Sequence, residues 1–469
     1  MRSLPRSGSA RLVIAGVVVM AALAPAWPVH AAPSPTAASP PGTAAEPRPV
    51  PVPLVEGPIP GALPGDPKAP DVAGTYPWLA TDAGLASLGY VEQEFVLSGQ
   101  ADAYSATGQL LATGVPYRTR VIVRRPAHPD RFNGVVLTEW QNVTAGYDLD
   151  ALWSTEQITR AGYAWVGVSA QRVGVDQLRG WSPARYGGLD VTGGGRFTAD
   201  ELSYSVFSQA GRAIRARGGV LGRLRPRTVL AIGASQSAGR LTVMYDAVLP
   251  QVERVFDAYA AIVGPAPARA GTEPVFQVLS ETDVRTPVRP PDTDRFRRWE
   301  VAGTAHSGWH GQEYRAPLLT RDLGAAPTYA CARPPFSRAP LHHMIAAAYV
   351  HLARWAEHGV APPVAPGLRF NPDGTKARDA LGLALGGIRP SQVQVPIALN
   401  DGDNSGETFC RLFGAHIPFD QARLDALYPS RARYVAAVAE ADAANVKAGY
   451  LLPADARRNL SDALRFAGR

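Results

Sequence analysis

The 469-residue chain has only two cysteines, Cys331 and Cys410, and no C-x-x-C pair. That excludes zinc ribbons, iron–sulfur clusters and folds framed by many disulfides. Lysine is almost missing: Lys68, Lys376 and Lys447 are three among 47 basic residues, a bias we read as genomic. No Ser-x-x-Lys occurs, so a Ser–Lys dyad of the penicillin-binding type is excluded. H-E-x-x-H is absent, and no G-x-G-x-x-G follows the first apolar strand, which removes the common zinc-protease and dinucleotide signatures. Long runs of Lys and Arg are also lacking, and the net charge falls from +7 to +4 once Arg2, Arg6 and Arg11 are set aside. Nucleic acid is therefore not an expected partner. With 46% hydrophobic and 19% charged residues, what remains is a globular chain long enough for a sizeable core.

The N-terminus reads as a targeting segment. Arg2, Arg6 and Arg11 precede an uncharged, mostly apolar stretch from Leu12 to Trp27, and Val29-His30-Ala31 offers small residues where signal peptidase reads. We expect a signal peptide over residues 1–31, cleaved after Ala31. The apolar run is shorter than the ~20 residues of a spanning helix, so no stable membrane anchor is expected. Residues 32–70 are rich in Pro, Ala, Ser and Thr and read as an extended linker. Residues 71–469 form the folded part.

Within that part, Tyr90–Leu97 and Tyr117–Arg125 alternate as half-exposed antiparallel strands do. Apolar runs follow at Gly134–Trp140, Ala161–Ala170, Thr228–Ile232, Ala258–Val263 and Val275–Leu279, separated by helical stretches at Leu152–Arg160, Ala199–Arg217 and Ser237–Val248. Such alternation predicts a mostly parallel sheet flanked by helices. Beyond about residue 314 the pattern turns helical. Leu341, Ile345, Ala348, Tyr349, Leu352 and Trp355 make one apolar face, and Phe419–Tyr428 and Arg431–Lys447 look helical too. We expect a catalytic core to about residue 314 and a mainly helical C-terminal appendage, about 315–469, packed on it.

The strongest local signal is T-V-L-A-I-G-A-S-Q-S-A-G, Thr228 to Gly239. A strand runs into Ser235, with small residues (Gly233 and Ser237) two positions either side, and a helix follows. This is the setting of a nucleophile elbow, with Ser237 in place of the usual second glycine. An acid and a histidine should then follow, each after a strand. Val275–Leu279 leads to S-E-T-D, offering Asp283 and, as the alternative acid, Glu281; Trp299–Ala302 leads to G-T-A-H and His306. His310 is the reserve base. The oxyanion hole needs two donors: the N–H of Gln236, after the nucleophile, and a group from the E-W-Q-N-V-T-A-G loop, for which Gln141 and Asn142 are the candidates. Asn142-Val-Thr also matches a glycosylation sequon, but its place at a core strand end favours a structural or active-site role.

In an exported chain the only two cysteines are expected to pair, joining Cys331 to Cys410. Only 48 residues separate Ser235 from Asp283, and 23 separate Asp283 from His306. That leaves little room for a cap there, so substrate selection is expected from the C-terminal third and from the Arg172–Phe197 loop with Trp181 and Tyr186.

Together these residues resemble the α/β-hydrolase superfamily and, more narrowly, a family of exported, poorly characterised bacterial hydrolases. The likeness rests on Glu139–Gly146, Gly233–Leu241, Ser280–Val284 and Ala302–His306, and extends to C-R-L-F-G (Cys410–Gly414) and L-L-P-A-D-A (Leu451–Ala456). It implies the α/β-hydrolase fold and serine hydrolase chemistry on a small or polymeric ester, and it names no substrate. The expected mechanism needs neither metal nor organic cofactor. Acyl transfer to an alcohol, or an exported binding protein with an unused triad, are the other uses of such a scaffold.

Overall fold

The computed structural model describes residues 46–467. The expected signal peptide and the first part of the linker lie outside the described residues. Nine strands form one sheet: β1 (Leu54–Glu56), β2 (Tyr90–Tyr104), β3 (Leu110–Pro126), β4 (Val135–Trp140), β5 (Ala164–Val168), β6 (Thr228–Ala234), β7 (Ala258–Ile262), β8 (Val275–Ser280) and β9 (Phe296–Val301). Their spatial order is β1-β2-β3-β5-β4-β6-β7-β8-β9. The first three are antiparallel to their neighbours, and from β5 onward the pairing is parallel. A separate antiparallel pair is made by β10 (Ala398–Asp401) and β11 (Ala415–Pro418). The helices are α1 (Thr155–Ala161), α2 (Arg172–Trp181), α3 (Pro183–Tyr186), α4 (Ser203–Arg215), α5 (Gln236–Val243), α6 (Trp309–Leu323), α7 (Leu341–His358), α8 (Ser391–Gln394), α9 (Gln421–Leu427), α10 (Arg431–Lys447) and α11 (Pro453–Ala467).

The parallel strands are mainly apolar on both faces because both faces are covered, with buried charge at Glu139 of β4 and at Arg297, Arg298 and Glu300 of β9. Val229 and Ala231 of β6 enter the layer beneath α4 and α5, while Leu230 and Ile232 enter the layer beneath α1 and α7. The antiparallel strands carry buried charge. Glu94 of β2 accepts hydrogen bonds from Arg120 of β3, from Arg185 Nε (2.6 Å) and from the Tyr186 hydroxyl (2.8 Å). Arg124 of β3 donates to Asp150 (2.6 Å) and Glu92 (2.7 Å), and its guanidinium lies 4.6 Å from the Trp153 ring and 4.8 Å from that of Trp165. Among the described residues, no helix is long and apolar enough to cross a membrane.

Three expectations need correction. The linker ends earlier than residue 70: Val50 is buried, β1 pairs with β2, and Glu56 holds Arg118 at 2.6 Å. Proline-rich chain can do this because an edge strand leaves one side of its backbone unpaired. Arg172–Phe197 is not a loop over the site, for most of it forms α2 and α3, and Trp181 and Tyr186 are buried beside Trp78 and Leu178. The boundary near residue 314 does not divide core from appendage either. Helix α7 packs on β6, β7 and β8, so it is one of the layers that bury the sheet. The later helical region, α10 and α11, does pack as expected.

Candidate active site

Ser235 stands between β6 and α5 with φ 57° and ψ −118°, a left-handed backbone that a serine adopts only under constraint. The neighbouring residues supply that constraint. A Cβ on Gly233 would come within 2.9 Å of the Ser237 backbone, so only glycine lets the strand approach the helix so closely. Ser237, where a second glycine is usual, clasps the turn: its Oγ donates to the Ala234 carbonyl (2.9 Å) and accepts from the Ala234 N–H (3.0 Å). Gly264 on the next loop similarly makes room for Ala238.

His306 follows β9. Its Nδ1 lies 2.7 Å from Oδ1 of Asp283, which follows β8, and the Ser280 hydroxyl donates to the other Asp283 oxygen. The His306 N–H donates to Thr282 Oγ1 at 3.2 Å. All four residues of S-E-T-D are therefore occupied, but on different tasks. Glu281 faces away from the histidine. It is fully buried, accepts from the Gly303 N–H (2.6 Å) and pairs with Arg378 (2.9 Å), and burial pushes its carboxyl up to about 7. Its oxygens lie within 4.8 Å of those of Asp401 and Asp403, a spacing that could suit a cation. Arg378 contacts all three carboxylates, with Arg333 on Asp401 and Lys376 on Asp403, so protein cations already neutralise that cluster.

Ser235 and His306 line one cavity of about 400 Å³, walled also by Asn142, Thr144, Ala145, Tyr147 and Trp153. The structure separates the two oxyanion candidates. Asn142 lines the cavity, and its Nδ2 donates to the Ala234 carbonyl (2.9 Å), tying this loop to the elbow. That amide is 5% exposed, which leaves no room for a glycan at the sequon. Gln141 does not line the cavity: its N–H bonds to Val168 and its side chain meets Arg120 and Ser169. Gln236 begins α5, directly after Ser235. The reserve base His310 lines the cavity too but meets Ser154 (3.2 Å) and stacks on His342 with ring centres 3.7 Å apart, and burial holds it down to about 4.

Cys331 and Cys410 are joined by a disulfide, their Cα atoms 5.3 Å apart. The bond ties the segment carrying Tyr329 to the one carrying Phe409 and Phe413, whose rings pack together in the cavity wall. Of the cavity residues, Trp153, Tyr329 and Arg315 were not singled out from sequence. None sits in a recognisable motif.

A family model described as an alpha/beta hydrolase domain matches residues 55–461. The chain belongs to that family. No curated protein matches it. Among solved structures, it is similar to the rice cell wall degrading esterase LipA from Xanthomonas oryzae (15% identity, 38% of this chain and 43% of that one, TM-score 0.21). It is also similar to a putative acetyl xylan esterase from Bacteroides fragilis (9% identity, 40% and 59%, TM-score 0.24) and to a methylesterase (15% identity, 43% of each chain, TM-score 0.26). The chain thus spans less than two thirds of the length of each of these relatives.

Proposed function

We propose that this family member is an exported serine hydrolase that cleaves carboxylic esters through an acyl-enzyme. The observation that carries the reading is the placement of a strained Ser235 and a carboxylate-paired His306 on one cavity. Ser235 Oγ attacks the ester carbonyl. With Nδ1 held by Asp283, Nε2 of His306 takes the serine proton and returns it to the leaving alcohol; water then repeats the sequence in reverse. Asp283 keeps the ring in the required tautomer and stabilises its charged form. The Gln236 N–H, at the positive end of α5, and a group of the Asn142 loop stabilise the oxyanion. The disulfide supports an oxidising destination and hence export.

The test is a panel of p-nitrophenyl esters of graded acyl length, run with a fluorophosphonate probe on wild type, Ser235→Ala and His306→Ala. We expect labelling of Ser235 in the wild type alone and a fall in kcat of about 10⁴-fold in each variant, with unchanged circular dichroism. An unlabelled wild type, or a Ser235→Ala enzyme with most of its activity, would overturn the mechanism. The unlabelled outcome is what an exported binding protein with an idle serine would give.

A further inference from the structure

Several cations approach the cavity, and all but one are accounted for. Arg458 is paired with Glu156 at 3.0 Å and lies near Asp462. Arg338 is exposed to water, with its guanidinium 4.7 Å from the Trp309 ring. Arg315 differs. It lies on α6, is 8% exposed, and lines the same cavity as Ser235 and His306, yet among the described residues it has no carboxylate and no hydrogen-bond acceptor. The residue is buried as a whole while its guanidinium nitrogens still reach the cavity, so the charge faces that space with no protein anion beside it. Space has been left for it, since a Cβ on Gly311, one turn earlier, would stand 2.7 Å from Arg315 Nη2.

Two phenols share that neighbourhood. Tyr147 and Tyr329 line the cavity, both within electrostatic reach of Arg315, and neither hydroxyl has a partner among the described residues. Burial raises both phenols, Tyr147 to about 12, which keeps them neutral donors at ordinary pH. Tyr329 is fastened to the wall through the disulfide-linked aromatic cluster, and Tyr147 belongs to the same loop as Asn142.

We propose that Arg315, with the hydroxyls of Tyr147 and Tyr329, forms an anion-binding subsite of the active-site cavity, and that the preferred substrates are esters that also carry a carboxylate. One guanidinium balances one negative charge, and its fork with two neutral O–H donors matches the two oxygens of a carboxylate. The proposal rests on the reading of Ser235 as the nucleophile, and it narrows the substrate class for that reading.

The experiment has two kinetic arms and one binding arm. In the first, monomethyl esters of dicarboxylic acids from succinate to suberate are compared by pH-stat with methyl esters of monocarboxylic acids of equal length. In the second, acetate esters of ω-hydroxy acids are compared with acetates of the matching alcohols. The arms report whether the carboxylate belongs to the acyl or the alcohol part. The readout is the ratio of kcat/KM for charged over neutral ester, which does not depend on how much of a variant is folded. We expect the ratio to exceed 10 in at least one arm, to fall about 10- to 100-fold in Arg315→Gln, and to be partly kept in Arg315→Lys. Neutral esters equal or preferred in both arms, or an unchanged ratio in Arg315→Gln, would overturn the proposal. The binding arm follows Tm with glutarate or adipate in wild type, Ser235→Ala and Arg315→Gln. A rise in the first two that is lost in the third supports the subsite even if Ser235 proves idle; no rise in the wild type contradicts it.

Discussion

The two halves of the sheet solve the same problem with different materials. Around β6 to β8 the strand faces are almost wholly apolar and covered by helices, with buried charge confined to Glu139 of the adjoining β4 and to Arg297, Arg298 and Glu300 of β9, and the strained backbone lies just past the end of β6, at Ser235. Around β2 and β3 the sheet buries Glu94, Arg120 and Arg124 in an ionic network that continues into α3 and the loop before α1. The apolar half is indifferent to the exact partners of its side chains and can tolerate a tight, specialised turn at its edge. The charged half specifies which segments dock, because a misplaced segment would strand a buried charge. The first half carries the proposed chemistry, and the second holds the Tyr76–Leu79 segment and α3 in place.

If that division is right, the largest effects on turnover belong to the apolar half. Asp283→Asn should lower kcat by orders of magnitude, since His306 loses its orienting charge, with little change in Tm. Glu281→Gln should do the opposite, lowering Tm through the loss of a buried partner of Arg378 while sparing kcat. Steady-state kinetics and thermal melts on both variants decide it, and the reverse ordering would make Glu281 the acid.

The charged half should show the larger effects on stability. Arg120→Met leaves Glu94 buried with one cation fewer, and a loss of about 3–5 kcal/mol by urea denaturation is expected. Replacing Glu94 as well should deepen the loss, because Arg185 is then left buried without its carboxylate. A loss below about 1 kcal/mol would mean the network is ornamental and the halves are less different than they look.

Neither half contains the disulfide. Its reduction should cost about 2–4 kcal/mol by the loop-entropy argument and leave the triad geometry untouched, so kcat on a small ester should change less than Tm. Mass spectrometry of alkylated, unreduced protein gives the pairing directly.

The last predicted effect is a pH dependence on the helix that covers the apolar half. His343 of α7 is held down to about 3 by burial, with His310, Arg160 and Arg458 adding to the effect. Its folded value lies below the unfolded value of about 6.5, so the unfolded chain binds the extra proton. The stability this neutral ring allows is complete above pH 6.5 and is lost as the pH falls below it, by up to about 1.4 kcal/mol per pH unit. Melts of wild type and His343→Gln between pH 7 and pH 4.5 should converge as the pH falls. Parallel curves would show that His343 already shares its proton in the fold.

Much of the apolar half was legible in the chain itself, because buried parallel strands are continuous apolar runs and an elbow demands small residues at set positions. The predicted helix at Leu341–His358 matches α7 at both ends, since Gly359 terminates it with a left-handed cap. The charged half was harder to read. The glycine-rich Arg172–Phe197 stretch reads as loop, yet its Gly174 lies in α2 for tertiary reasons: a Cβ would fall 1.9 Å from Asp148 Oδ1. Local propensity cannot report a neighbour 26 residues away. The same applies to Gln141, whose neighbours Arg120 and Ser169 come from β3 and from the end of β5. The choice between Glu281 and Asp283 also lay beyond the motif, because it depends on Arg378 and the turn at Gly402 packing on one carboxylate and not the other.

The cavity draws its walls from distant parts of the chain. Arg458 of α11 donates to Glu156 of α1, 302 residues earlier, and Asn459 and Asp462 line the same space as Asn142. These segments are delivered in order from the N-terminal side, by the ribosome and again on the proposed export. A chain that has exposed everything from β4 to His306 holds Ser235 but still lacks the wall that α11 provides. Under the proposed function, Ser235 and His306 are made early and their cavity is closed late, so turnover would await the docking of α11.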